Sequence, residues 1–239
     1  MSVVLFDEPY YIRINEARWA VAKQLLVGIQ DQCEVQLKTC LDVGSGPGWF
    51  TQRLATLGLA VEGLEGRVEN VQAAQARMPQ VPFYLVNVES EQEIATLKPC
   101  DLTFCFGLLY HTENPFRVLR NLRRLTKKVL LIESMLIPLE SPCAWLIGEN
   151  VNETQGLTSY AMIPSRTSLI KMLESAGFPY RYEYQGPVEH EDFQETEARY
   201  RRRGIFVASS MTLSLDQLCL LPDIAIPKYD FTKRNPGAP

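Results

Sequence analysis

The run Leu41-Asp42-Val43-Gly44-Ser45-Gly46-Pro47-Gly48-Trp49-Phe50 constrains this chain more than any other. A short apolar strand leads into it, three glycines stand at alternate positions, and a helix begins near Pro47. Glycine permits a positive φ and lets backbone approach a ligand closely. The helix turns its free N–H groups into the same space. A strand, a glycine turn and a helix N-terminus are how open α/β sheets hold a ligand at their carboxyl edge.

The spacing narrows the ligand. A dinucleotide site spaces its glycines G-x-G-x-x-G so that a pyrophosphate sits on the helix N-terminus. Here the spacing is G-x-G-x-G, with Asp42 two residues before the first glycine. An anion there repels a pyrophosphate and suits a ligand with a cationic amine and a sulfonium. No Gly-Lys-Ser/Thr follows, which excludes a phosphate-cradling P-loop. Asp42, Gly44, Gly46 and Gly48 resemble motif I of the class I S-adenosylmethionine (SAM) methyltransferases. The resemblance implies an α/β, Rossmann-like fold: a seven-stranded, mostly parallel sheet with helices on both faces and one antiparallel edge strand. It also implies SAM as cofactor and S-adenosylhomocysteine (SAH) as product.

The rest of the chain alternates strands and helices. Residues 10–31 carry apolar side chains at helical spacing. Strands are expected at Thr39–Val43, Ala60–Leu64, Pro82–Val86, Asp101–Phe106 and Lys128–Glu133, with helices at Gly48–Leu57, Val68–Arg77 and Phe116–Thr126. This βαβα rhythm predicts a parallel sheet covered on both faces. Residues 134–164 break it with Pro138, Pro142, Gly148, Gly156 and Pro164, and read as a lid-like insertion. Ser165–Ala176 is expected as a helix with Ser165 as N-cap and Gly177 at its stop. Tyr180–Tyr184 and Ile205–Ser209 read as the last strands, with a second insertion near 186–203. The expected organisation is one domain over 1–210 and a C-terminal tail over 211–239.

Composition excludes several classes. At 46% hydrophobic and 22% charged residues the chain is ordinary globular protein. Its net charge of −4 argues against broad nucleic-acid binding. No apolar run reaches the roughly 18–20 residues of a membrane span, and the first residues lack the features of a signal peptide. The six cysteines form no C-x-x-C pair and read as reduced thiols of a cytoplasmic protein, with no metal site expected.

Several residues carry candidate chemistry. Glu65 ends the second strand about 20 residues past the glycine turn, where a carboxylate accepts hydrogen bonds from both ribose hydroxyls. Glu62 is its rival, further from the edge, and Gly66 and Arg67 continue the turn. After the third strand, the methyltransferase resemblance places the adenine contacts at Asn87 and the backbone of Val88, with Glu89 as an alternative to Asn87. Ser45, Phe106 and Gly107 complete the expected cofactor wall. Arg18, on the N-terminal helix, is a candidate partner for the methionine carboxylate.

The phrase Phe106-Gly107-Leu108-Leu109-Tyr110-His111, followed by Asn114-Pro115, is similar to a branch that includes the tRNA wobble-uridine carboxymethyltransferases and many small-molecule and sugar methyltransferases. The resemblance covers roughly residues 38–210. His111 is the candidate base, its alternative being a structural histidine that ties the loop to a backbone carbonyl. Tyr110 lines the methyl-donor pocket. In the carboxymethylating relatives this tyrosine meets the extra carboxylate, but the chain has no clear match to their additional N-terminal basic residue. His190 and Arg201-Arg202-Arg203 read as solvated charged groups. The expected reaction is in-line methyl transfer from SAM to a hydroxyl or carboxylate of a small metabolite, a sugar or natural-product intermediate. The alternatives are tRNA wobble-uridine modification and a non-catalytic SAM-binding protein. The protein is expected as a monomer or homodimer.

Overall fold

The computed structural model describes residues 5–150, 152, 154–197, 200–226 and 228. Most of the expected tail beyond residue 226, and Met1–Val4, lie outside them. An N-terminal helix α1 (Pro9–Asp31) precedes β1 (Thr39–Val43), α2 (Trp49–Thr56), β2 (Ala60–Glu65), α3 (Val68–Arg77), β3 (Phe83–Leu85), a single turn α4 (Glu91–Ile94), β4 (Cys100–Phe106), α5 (Pro115–Leu125) and β5 (Thr126–Met135). Then come β6 (Ala144–Gly148), β7 (Tyr160–Pro164), α6 (Arg166–Ser175), β8 (Tyr180–Tyr184), β9 (Arg203–Ser209) and β10 (Leu218–Leu220).

The main sheet runs in the order β10-β8-β9-β5-β4-β1-β2-β3. Strands β3, β2, β1, β4 and β5 pair in parallel, and the chain reverses its winding between β1 and β4. That switch point opens a crevice at the strands' carboxyl ends. Side-chain alternation divides the core. Leu41, Val43, Cys105, Leu130 and Ile132 pack on the face of α5 and α6. Cys40, Phe104, Phe106, Val129 and Leu131 pack on the face of α1 and α2, against Leu25, Leu26, Ile29 and Leu54. Both faces are covered, as the parallel half of the sheet requires.

Local chemistry sets the helix ends. The Asn114 side chain accepts from the Arg117 N–H at 3.0 Å and Pro115 takes the first position of α5. Ser165 caps α6 by accepting from the Ser168 N–H at 3.1 Å, and Gly177 follows with a φ of +91°. Among the described residues no helix is long and apolar enough to cross a membrane.

The structure corrects the expected sheet in three places. It has eight strands rather than seven, because Leu218–Leu220 adds an edge strand antiparallel to β8. The counter-running β9 is not at the edge but inserted between β5 and β8, antiparallel to both. Residues just past 210 do not leave the domain as a tail: Leu213, Leu215 and Leu221 are buried in it. The 134–164 insertion is also more ordered than its prolines suggested. Strands β6 and β7 pair antiparallel from Ala144↔Pro164 to Gly148↔Tyr160, with Glu149 and residues 154–159 at their tip.

Candidate functional site

Two cavities meet at the carboxyl edge of β1, β2 and β4. The larger, about 430 Å³, is lined by the glycine turn, Glu65, Phe106, Gly107, Tyr110 and His111, together with α1 and β9 residues. The smaller, about 60 Å³, is lined by Leu64, Gly66, Val86, Asn87, Val88 and the 155–157 loop. Gly44, Glu65, Leu108, His111 and Gln155 border both, so the two compartments suit the two ends of one elongated ligand.

The turn is built as its sequence requires. Gly44 and Gly46 hold φ values of +74° and +52°, and a Cβ on Gly44 would stand 2.9 Å from Leu108 Cβ. The Ser45 hydroxyl lies on the cavity wall, buried, with no hydrogen-bond partner among the described residues. Gly48 caps α2 and does not line either cavity. Asp42 does not reach the ligand space either. Strand alternation turns it toward α2, where it accepts from the Thr51 hydroxyl at 2.6 Å. Burial, with a contribution from the Glu65 charge and against the Thr51 hydrogen bonds, pushes its carboxyl up to about 7.

Glu65 stands at the junction of the two cavities. One carboxylate oxygen accepts from the Gly46 N–H and the other from the Arg67 N–H, each at 2.9 Å. Burial raises its pKa, and these bonds with one from Asn70 offset only part of the rise. The carboxylate is thus an acceptor fixed in place at the crevice by its neighbours. Glu62, its rival, is exposed and away from the crevice. In the small cavity, Asn87 Oδ1 accepts from the Glu89 N–H at 2.9 Å, while Glu89 accepts from the Asn114 N–H at 2.6 Å. The Val88 carbonyl is taken by Asn121 at 2.8 Å.

The tip of the β6–β7 hairpin closes over this small cavity. Arg67 donates from Nε to the Gln155 carbonyl at 3.2 Å and from Nη2 to the Gly156 carbonyl. Leu157 packs against Gly66, where an added Cβ would meet it at 2.8 Å. The Met162 N–H donates to the Thr112 carbonyl at 2.9 Å, which docks β7 on the turn that carries Tyr110 and His111. His111 does not tie to a backbone carbonyl. Its Nδ1 meets Glu149 Oε1 at 2.5 Å, and Glu149 Oε2 accepts from the Gly156 N–H at 3.0 Å. Burial pushes the Glu149 carboxyl up, but the hydrogen bond and charge of His111, with Gly156 N–H, outweigh it and leave it below the ordinary carboxylate range.

Around the large cavity lies a buried charge cluster. Arg18 Nη2 lies 3.1 Å from Glu133 Oε2 and Arg203 Nη1 lies 3.0 Å from Glu133 Oε1. Arg203 also donates to the Tyr110 hydroxyl at 3.0 Å and pairs with Asp192 at 3.3 Å. The solvated reading of Arg203 and His190 is therefore corrected: both are buried, and His190 uses its Nδ1 to accept from the Asp192 N–H at 3.2 Å. Arg201 pairs with Glu183 at 2.6 Å, and only Arg202 of the three arginines is exposed, on the cavity wall. Arg18 is engaged by Glu133 and Asn15, but its buried Nε has no partner among the described residues. Tyr10, Tyr11 and Phe6 complete the wall.

Sequence reasoning missed Glu149, the Arg67 clasp on the hairpin and the Glu133–Arg203 pair. Nothing in the sequence around Glu149 marks it. Among the described residues no group of three His, Cys, Asp or Glu side chains is placed to hold a metal ion, and all six cysteines are free thiols.

Residues 41–129 match the family model described as "Methyltransferase domain". The tRNA U34 carboxymethyltransferase of Marinobacter nauticus is 28% identical over 147 residues, covering 59% of this chain and 44% of that protein. The ubiquinone biosynthesis O-methyltransferase of Albidiferax ferrireducens is 30% identical over 106 residues, 41% of each chain. The chain thus spans less than half the length of these two relatives. Among solved structures, the N-terminal domain of EvdMO1 in the presence of SAH and D-fucose superposes with a TM-score of 0.64 at 24% identity, over 80% of this chain and 82% of that one. At that identity the likeness shows the fold, and the fold is that of the Rossmann-like methyltransferases.

Proposed function

We propose, from the methyltransferase domain at residues 41–129 and the fold around it, that this protein is a SAM-dependent methyltransferase. Its acceptor is a hydroxyl or carboxylate on a small metabolite. The observation that carries the reading is Glu65, a buried acceptor at the junction of two cavities whose oxygens are oriented by backbone N–H groups. A ribose there sends its base into the slot lined by Val86, Asn87 and Val88. It sends its amino-acid arm past the glycine turn toward Ser45 and Arg18.

The fit is chemical. The unpartnered Ser45 hydroxyl can accept from an ammonium, and the unpartnered Arg18 Nε can donate to a carboxylate, so the two orphaned atoms match the methionine end of SAM. When bound, SAM supplies a methyl group on a sulfonium, with the thioether SAH as leaving group. The chain's own residues then position and desolvate. Tyr110, Met135, Ile147 and Ile163 wall the cavity beyond the glycine turn, and excluding water there strengthens every electrostatic contact. Tyr110 is held by Arg203 through its hydroxyl and so presents a fixed ring edge to the acceptor.

A small-molecule acceptor is favoured by the bounded cavity, by the net charge of −4, and by an O-methyltransferase and an SAH- and D-fucose-containing structure among the similar proteins. The test is transfer of labelled methyl from SAM into a small-molecule extract and, separately, into bulk tRNA. Label in the small-molecule fraction is the expected result. Label confined to tRNA, with binding that falls steeply as salt rises, would replace this reading by tRNA modification. Binding of SAH without transfer to either fraction would leave a cofactor-binding protein.

A further inference from the structure

We infer that Glu149 positions His111 as the proton acceptor for a hydroxyl substrate, and that it does so only when the β6–β7 hairpin is closed over the adenine slot. The inference rests on the methyltransferase reading above and decides between its two acceptor classes.

The two oxygens of Glu149 have separate partners. Oε1 meets His111 Nδ1 at 2.5 Å and Oε2 accepts the Gly156 N–H at 3.0 Å. The carboxylate side chain is 4% exposed and that of His111 12%, so the contact is shielded from water. Ionised, a carboxylate only accepts; the proton between them therefore sits on Nδ1 and leaves the Nε2 lone pair for another partner. The imidazole ring borders both cavities. Its far side is braced by Tyr110, with ring centroids 4.2 Å apart.

The same carboxylate belongs to the closing device. Gly156 lies between the Gln155 carbonyl gripped by Arg67 and the Leu157 side chain that covers Gly66. A Cβ on Gly156 would stand 2.2 Å from the His111 carbonyl, so hairpin and histidine turn are in direct backbone contact. Opening the hairpin withdraws Glu149, at the end of β6, from His111. Covering the nucleoside end and assembling the base are thus one movement.

The chemistry selects the acceptor. An ionised carboxylate acceptor attacks without losing a proton and has no use for a base. A hydroxyl must lose one as its oxygen forms the bond to the methyl carbon. The C–S electron pair then stays on sulfur, the hydroxyl proton passes to His111 Nε2, and Glu149 stabilises the imidazolium that results. A histidine held by a buried carboxylate serves the second case.

The test separates the two oxygens. In Glu149→Gln the single remaining oxygen can still accept the Gly156 N–H, while the amide NH2 now faces Nδ1 and forces the opposite tautomer. Chain-wide there are two histidines, so ring 15N signals can be assigned by difference against His111→Gln. Ligand-free wild type should show Nδ1–H at His111, and Glu149→Gln should show Nε2–H. Affinity of Glu149→Gln for SAH should stay within about threefold, while label transfer into the small-molecule fraction falls about 10²-fold. Glu149→Ala, which also frees Gly156, should weaken SAH binding about tenfold. A wild-type tautomer or wild-type transfer rate in Glu149→Gln would overturn the inference, as would wild-type SAH affinity in Glu149→Ala. Failure of the wild-type protein to bind SAH would overturn the methyltransferase reading instead, and the ligand-free tautomer would still report on the His111–Glu149 pair.

Discussion

Asp42 stands near the end of β1 with its carboxyl buried against α2, facing Thr51 from α2, Glu65 from β2, and the neighbouring thiols of Cys40 and Cys105, both of which burial keeps neutral. Its pKa is pushed up to about 7, burial being the main cause. Between about pH 4 and 7 the folded protein holds a proton that the unfolded chain has released. The stability this group contributes is therefore complete below the unfolded value and is lost as pH rises through about 7. Asp42→Asn cannot ionise and still offers Thr51 an oxygen. Its stability relative to wild type should climb from pH 4 to pH 8 by at most roughly 4 kcal/mol, as urea denaturation at several pH values would record. A difference that stays flat across that range refutes the elevated pKa. Gly44 makes a second single-residue case. At φ +74°, with Leu108 Cβ 2.9 Å from the site of a new Cβ, Gly44→Ala should cost at least about 1–2 kcal/mol in a thermal or urea melt. The alternate glycines and Glu65 were legible as residues of one sheet edge, where cavities open, because the signal lies within 25 residues of chain. The position of the Asp42 side chain was not, since it depends on which sheet face α2 covers.

The β6–β7 hairpin is the element whose role sequence hid most completely. Strand β6 is mostly exposed, including Trp145 and Leu146, so it lacks the apolar alternation by which a half-buried strand is recognised. Its partner starts 12 residues later, with no tight-turn pair between them. Its own pairing and the docking of β7 on the His111 turn hold the hairpin, and its tip is gripped as well. Arg67, whose side chain is 12% exposed, holds two successive carbonyls of the tip, and hydrogen bonds from a charged donor are worth about 1.5–3 kcal/mol where solvent is excluded. Arg67→Ala should therefore speed amide exchange over residues 154–162 and weaken SAH binding about tenfold in calorimetry, with little change in exchange at β1 or β4. Unchanged exchange in the tip would mean that the Leu157–Gly66 packing and the Glu149–Gly156 contact keep it closed without Arg67. Strand β10 escaped for a different reason: three residues are too short to show a period, and only the free edge of β8 makes them a strand.

At the scale of the whole molecule, the site and the stability of the fold share residues. Glu133, fully buried at the carboxyl end of β5, joins Arg18 of α1 to Arg203 of β9, and Arg203 passes the charge on to Asp192. Residues at 18, 133, 192 and 203 are brought together only by the completed sheet, which is why a run of arginines after two glutamates read as a solvated face. The βαβ order was legible because each unit is local; this cluster is made by non-local strand order. Two cations and two anions balance in it, so removal of one leaves an uncompensated charge rather than a merely missing contact. Arg203→Leu should cost about 3–5 kcal/mol in urea denaturation. Arg13→Ala breaks a shorter pair, 2.6 Å to Glu191, but its side chains are 58% and 40% exposed. Its cost should stay below about 1 kcal/mol and shrink further with salt. Replacing Arg203 and Glu133 together by apolar residues should cost less than the sum of the single replacements, because each single change leaves the cluster with a net charge while the double variant keeps one cation, Arg18, and one anion, Asp192. Additive costs would mean that Arg203 and Glu133 act independently, and that β9 is held to β5 by its backbone ladder alone.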